Sequence, residues 1–187
     1  MIIKRLNTSQ EVVAGLHLVW DVFIRENASS CTQQGIEEFA RFIKMENFMP
    51  LVESGEMIVF GAVEGQDLGG VGAVRRDGHI SLLFVRPDLR RKGIAKALVG
   101  EMCRYCTMQF ALMRMTVNAS VVSTEAYHHM GFRDLAPVQE KNGIRFVPME
   151  LMVSPANVRP SHYGKKHTGL FIGIAVTAVI FLIFLGL

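Results

Sequence analysis

The chain ends on an uncharged run. Gly169 to Leu187 reads GLFIGIAVTAVIFLIFLGL, and Thr177 is its one clearly polar side chain. Nineteen helical residues rise about 28 Å, at about 1.5 Å each, close to the thickness of a bilayer's hydrocarbon core. A buried core helix or an oligomer helix normally keeps a polar face, and this run has none. It predicts one C-terminal transmembrane helix, and it divides the chain: whatever folds in water must do so before it. Gly169-x-x-x-Gly173 would allow two such helices to pair, although the pattern is weak.

Charge follows the same division. All 17 Asp and Glu precede residue 154, as do all but three of the 20 Lys and Arg. Residues 1–153 are therefore neutral overall, which gives no global argument for a nucleic-acid partner. The whole excess of +3 is Arg159, Lys165 and Lys166, beside the apolar run. A basic collar there points to the cytoplasmic side of a membrane. The N-terminus, MIIKRLNTSQ, has no long apolar stretch of the signal-peptide kind. Three cysteines, Cys31, Cys103 and Cys106, are too few for a disulfide framework. The expected organisation is a domain at 1–153, a juxtamembrane linker at 154–168 and a tail anchor at 169–187. The domain would sit in the reducing cytoplasm on a single-pass membrane protein.

Within 1–153, 50% hydrophobic residues over the whole chain exclude a disordered protein. Ile2-Ile3 suits a short strand. Thr8-Ser9-Gln10-Glu11 fits a capping box, behind which Val12, Leu16, Val19 and Phe23 recur at helical spacing. A second helix is expected over 33–44, and 48–55 reads as irregular around Pro50. Three apolar segments follow at 57–63, 68–74 and 79–85, joined by tight turns, and predict an antiparallel meander. Three glycines lower the strand propensity of the middle one. A helix is expected over 94–106, a strand over 113–117, a short helix ending at Met130 with Gly131 after it, and two closing strands over 132–138 and 144–153. Pro137 weakens the first of these.

The chemistry concentrates in Leu83-Phe84-Val85-Arg86-Pro87-Asp88-Leu89-Arg90-Arg91-Lys92-Gly93-Ile94-Ala95. A buried strand runs through a basic loop into a helix start, which offers unpaired N–H groups and the positive end of the macrodipole. Gly93 and Ala95 would let a ligand approach the backbone, so the segment suits a pyrophosphate. An isolated Arg-Arg-Lys-Gly turn is more often only a solvated basic loop. The two other common phosphate motifs, G-x-x-x-x-G-K-[ST] and G-x-G-x-x-G, are absent.

The order of segments, together with Arg90-x-x-Gly93-x-Ala95 and Tyr127 four residues before Gly131-Phe132, resembles the GNAT superfamily of acyl-CoA-dependent N-acetyltransferases. The resemblance covers about 1–153 and excludes the tail. It implies an α/β (α+β) fold with a mixed, mostly antiparallel central sheet flanked by helices. It implies acetyl-CoA as co-substrate, no metal, and an amine acceptor, a small molecule in preference to a protein. Leu83, Phe84 and Val85 would pair with the pantetheine arm through their backbone. Arg90, Arg91, Lys92, Gly93, Ile94, Ala95 and Lys96 would hold the pyrophosphate. Asn118, or Ser120 in its place, would bond the pantetheine. Tyr127 would protonate the leaving thiolate. For the base, Glu56, Glu64, His79 and Ser81 are open candidates. A non-catalytic acyl-CoA sensor at the membrane is the alternative from another class, and a scaffold that has lost the cofactor is a third. Cys103-x-x-Cys106, the His128-His129 pair and the many methionines are read as packing or surface groups.

Overall fold

The computed structural model describes residues 1–153 apart from Gln66; the linker and apolar run assigned to 154–187 lie outside the described residues. Among the described residues no helix is long and apolar enough to cross a membrane. Eight strands form one sheet: β1 (Ile2–Leu6), β2 (Met57–Glu64), β3 (Asp67–Arg75), β4 (His79–Val85), β5 (Arg114–Ser120), β6 (Arg133–Asp134), β7 (Gln139–Lys141) and β8 (Ile144–Met152). They run in the order β1-β2-β3-β4-β5-β8-β6, and β7 also pairs with β8. Every pairing is antiparallel except β4 with β5. The expected mixed, mostly antiparallel sheet and its three-strand meander are both present.

Among the described residues five α-helices cover the sheet: α1 (Ser9–Glu26), α2 (Gln33–Phe42), α3 (Met45–Glu53), α4 (Ile94–Phe110) and α5 (Thr124–His129). The capping box at the head of α1 forms as the sequence implies. Thr8 Oγ1 accepts from the Glu11 N–H, and Glu11 Oε2 accepts from the Thr8 N–H. Two cores result, one on each face. Val12, Leu16, Val19 and Phe23 of α1, with Phe39 and Phe48, bury against Val59, Val71 and Leu82. On the other face Ile94, Leu98 and Met102 of α4 bury against Ile58, Val74, Ile80, Met115 and Val117. The glycines of β3 have a packing reason. A Cβ on Gly72 would lie 3.1 Å from Met102 Cε, and one on Gly70 would lie 3.0 Å from Ile94 Cγ2, so bare backbone lets α4 lie close to the sheet.

Several boundaries differ from the sequence reading. Residues 48–55 are not irregular: α3 runs through Pro50, because Phe48 and Val52, one turn apart, both bury beneath it. Helix α4 continues to Phe110, where Ala111 closes it with φ 55°. The strand expected over 132–138 is broken into β6 and β7, since Pro137 has no N–H for the ladder.

Candidate active site

The site is built from an interruption in the sheet. β4 and β5 pair only at His79 with Thr116 and Ile80 with Val117. Beyond those two positions no further pairing joins them, so a cleft separates the strands. At the same level β4 bulges: Ala73 pairs with Leu82 and Val74 with Ile80, which leaves Ser81 as the extra residue. The bulge turns the strand over. Ile80 and Leu82 are two apart and should share a face, yet they bury in opposite cores. Leu83, Phe84 and Val85 then pair with β3 on one side and present backbone to the cleft on the other. Asn118 and Ser120 of β5 line the opposite wall.

The cleft leads to the start of α4. Gly93 caps it with φ 82°, a left-handed conformation, and Arg91 before it also has positive φ, 61°. A Cβ on Gly93 would meet no atom within 4 Å, so the space beside it is open. The first intrahelical bond runs from the Ala97 N–H to the Gly93 carbonyl, which leaves the preceding amides free to take an anion. Ile94 offers this space only its backbone, because its side chain is buried in the core. Lys92 and Lys96 are exposed. Arg90 is not free in the loop: its guanidinium donates to Glu26 at the end of α1, at 2.8 Å.

Tyr127 lies on α5 and lines the same groove. It is 7% exposed, its ring meets Phe132 edge-on at 5.2 Å, and burial pushes its phenol pKa well above the ordinary value. It is therefore protonated at neutral pH. Gly131, with φ 95°, ends the helix and lets the Phe132 N–H reach back to the Tyr127 carbonyl.

The base candidates separate. Glu64 ends β2 away from the groove, whereas Glu56, His79 and Ser81 line it. His79 Nδ1 is 2.9 Å from Thr116 Oγ1, and desolvation lowers its pKa. Asn118 is exposed within β5, while Ser120 is engaged by Asn27 Nδ2 at 3.1 Å and Ser123 Oγ at 2.7 Å. Glu26 and Thr116 escaped the sequence reading, since each meets a partner remote in the chain and neither sits in a motif. Cys103 and Cys106 are buried, and desolvation raises their thiols to about 11 and about 12, as packing residues require. His128 is exposed and pairs with Asp134. Among the described residues no cluster could hold a metal.

Residues 27–153 match the acetyltransferase (GNAT) domain family. The chain belongs to that family. No curated protein matches its sequence at a significant level. Similar solved structures include a GCN5-related N-acetyltransferase from Rhodopseudomonas palustris, with TM-score 0.69 and 14% identity over 81% of this chain and 95% of that one. An N-acetyltransferase from Thermoplasma acidophilum in complex with coenzyme A gives 0.65 and 17% over 81% and 99%. A spermidine N-acetyltransferase from Vibrio cholerae gives 0.57 and 15% over 81% and 95%. At these identities the likeness concerns the fold alone.

Proposed function

We propose that this protein is an N-acetyltransferase that moves an acetyl group from acetyl-CoA to an amine, with a small molecule as acceptor. The observation that carries the reading is the unpaired cleft between β4 and β5, which leads to the open left-handed turn at Gly93. An extended arm can add to the free edge of Leu83 to Val85 as a strand would, with its pyrophosphate on the amides at the start of α4. The residues present fit such a ligand. Arg91, Lys92 and Lys96 add charge beside it. The CoA-bound relative from Thermoplasma acidophilum shares the fold and supports the choice of ligand class.

In the reaction a C–N bond forms to the acetyl carbonyl carbon and the C–S bond breaks. The amine gives up one proton and the sulfur gains one. A backbone N–H at the β4 bulge would polarise the carbonyl. Tyr127, held protonated by its burial, would supply the proton to the departing thiolate and take one back from solvent through the groove; the transfer runs uphill, because a thiol of pKa about 8.5 is the stronger acid, so it requires the two groups to be held close. Tyr127→Phe should lower kcat by about 10²-fold or more and leave CoA affinity within a factor of two. Unchanged turnover would remove Tyr127 from the mechanism. CoA binding with no transfer to any amine would favour the sensor reading.

The domain is held to a membrane by 169–187, with Lys165 and Lys166 on the cytoplasmic side. The uncharged run and the basic residues beside it support this anchor. Carbonate extraction tests it: full-length protein released wholly into the soluble fraction would overturn the anchor.

A further inference from the structure

The transfer needs the acceptor's neutral amine, and an alkyl ammonium of pKa about 10 is only about one part in a thousand neutral at pH 7. Some group at the floor of the cleft must take its proton. Among the candidates, His79 is the one whose position, face and free nitrogen meet that need. It stands at one of the two positions where β4 and β5 still pair, below the point where they part. Its neighbour Ile80 packs into the α4 core, so His79 faces the other side of the sheet, towards α1 to α3. That face of the groove is lined by Phe23, Asn27 and Phe39. The residue is held at both ends: its backbone N–H donates to Asp77 Oδ1 at 3.0 Å, and its Nδ1 meets Thr116 Oγ1 at 2.9 Å. Its Nε2 makes no hydrogen bond among the described residues.

We propose that His79 is the catalytic base, taking the acceptor's ammonium proton on Nε2, and that Thr116 is a positioning residue, accepting from Nδ1–H and so leaving the lone pair on Nε2. The assignment rests on the transferase reading above. The step is balanced. The bound ammonium becomes a neutral amine and the imidazole becomes imidazolium, which returns the proton to solvent through the open groove. Burial keeps the imidazole neutral at pH 7, because desolvation outweighs the opposing pull of Asp77. The charged groups around it are already matched. Arg75 pairs with Asp77 at 2.7 Å, and Arg114 pairs with Glu150 at 2.6 Å one strand beyond Thr116. Glu56 lines the groove at the head of β2. None of these carboxylates bonds Nε2.

The experiment measures kcat against pH for the full 187-residue chain in detergent, with spermidine, 2-phenylethylamine and L-lysine as probe amines. CoA affinity is followed in parallel by calorimetry. In the parent, kcat should rise through a single ionisation below the ordinary histidine value of about 6.5 and then level. In His79→Gln it should fall by about 10²- to 10³-fold at pH 7, and the deficit should shrink about tenfold for each pH unit as more of the acceptor's ammonium loses its proton unaided. Thr116→Val should keep the fold and lose about tenfold in kcat, with the ionisation displaced. CoA affinity should hold in both variants. A deficit in His79→Gln that is the same at pH 7 and pH 9, or no deficit, overturns the assignment and leaves the transferase reading standing. No transfer by a CoA-binding parent to any of the three probes overturns both.

Discussion

Two glycines of the α4 region separate the cost of backbone conformation from the cost of lost ligand. Gly93 caps the helix with φ 82°, and Gly100 lies within it. An added Cβ would meet no atom within 4 Å at either position. In the ligand-free protein, conformation alone decides the effect of alanine. Gly93→Ala puts a side chain in the left-handed region and should cost about 1–2 kcal/mol. Gly100→Ala removes a glycine from a helix interior and should gain about 0.5–1 kcal/mol. At about 2–4 °C per kcal/mol, their thermal midpoints should move in opposite directions. Ligand binding adds a second difference. Gly93 lines the groove beside the free amides, where a phosphate oxygen needs to come within about 2.9 Å of nitrogen. A methyl group there should weaken CoA by tenfold or more, about 1.4 kcal/mol, whereas Gly100→Ala should leave it alone. Thermal unfolding and calorimetric titration with CoA read both effects, and Gly93→Glu should abolish binding. Gly93→Ala that loses stability yet binds CoA as tightly as the parent would refute the placement of the pyrophosphate.

Three further outcomes concern the frame. Glu11 accepts from Lys4 at 2.8 Å and from the backbone of Asn7 and Thr8, and its pKa is held down at about 2. A depressed carboxylate stabilises above its unfolded value, about 4.5, and loses that contribution as pH falls towards 2; Glu11→Gln should cost about 1 kcal/mol at pH 7 and nothing near pH 2, read by urea titration at the two pH values. Gly35→Ala would bring a Cβ to 2.6 Å from the Gly143 carbonyl oxygen, where the β7–β8 hairpin meets α2, and should lower the thermal midpoint by several degrees for about 1–3 kcal/mol. Phe48→Ala, at a position with no exposed surface, should cost about 3–5 kcal/mol, and a loss under 1 kcal/mol by urea titration would show that α3 is not anchored there.

What could be read in advance was what is local. The capping box, the helix start at Gly93, the meander and the short helix before Gly131 each lie within a few neighbouring residues, and each is present. Structure and sequence pattern part where burial overrides local preference. Pro50 argued against a helix that Phe48 and Val52 hold in place from below. The glycines of β3 argued for a poor strand, when their small size is what α4 needs in order to pack. The site divides along the same line. The proposed pyrophosphate loop is one continuous segment, so its left-handed turn and helix start are legible as a motif. Its cleft is a failure of pairing between β4 and β5, which no property of either strand alone records.

The bulge at Ser81 connects the two halves of the site. Without it, the face that His79 occupies would continue unbroken along β4 through Ser81 and Leu83, and Leu82 would point into the same core as Ile80. The extra residue exchanges the faces at the level where the sheet parts. Leu82 can then bury beneath α1 while the strand above it keeps a free edge for an extended ligand. His79, just below, stays on the side that α1 to α3 leave grooved, and 37 positions of chain separate it from the threonine that orients it. One inserted residue thus sets an open strand edge above a neutral imidazole on the same strand, on either side of the level where β4 and β5 part. An amine acceptor and an acyl carrier entering from different faces would have to meet there.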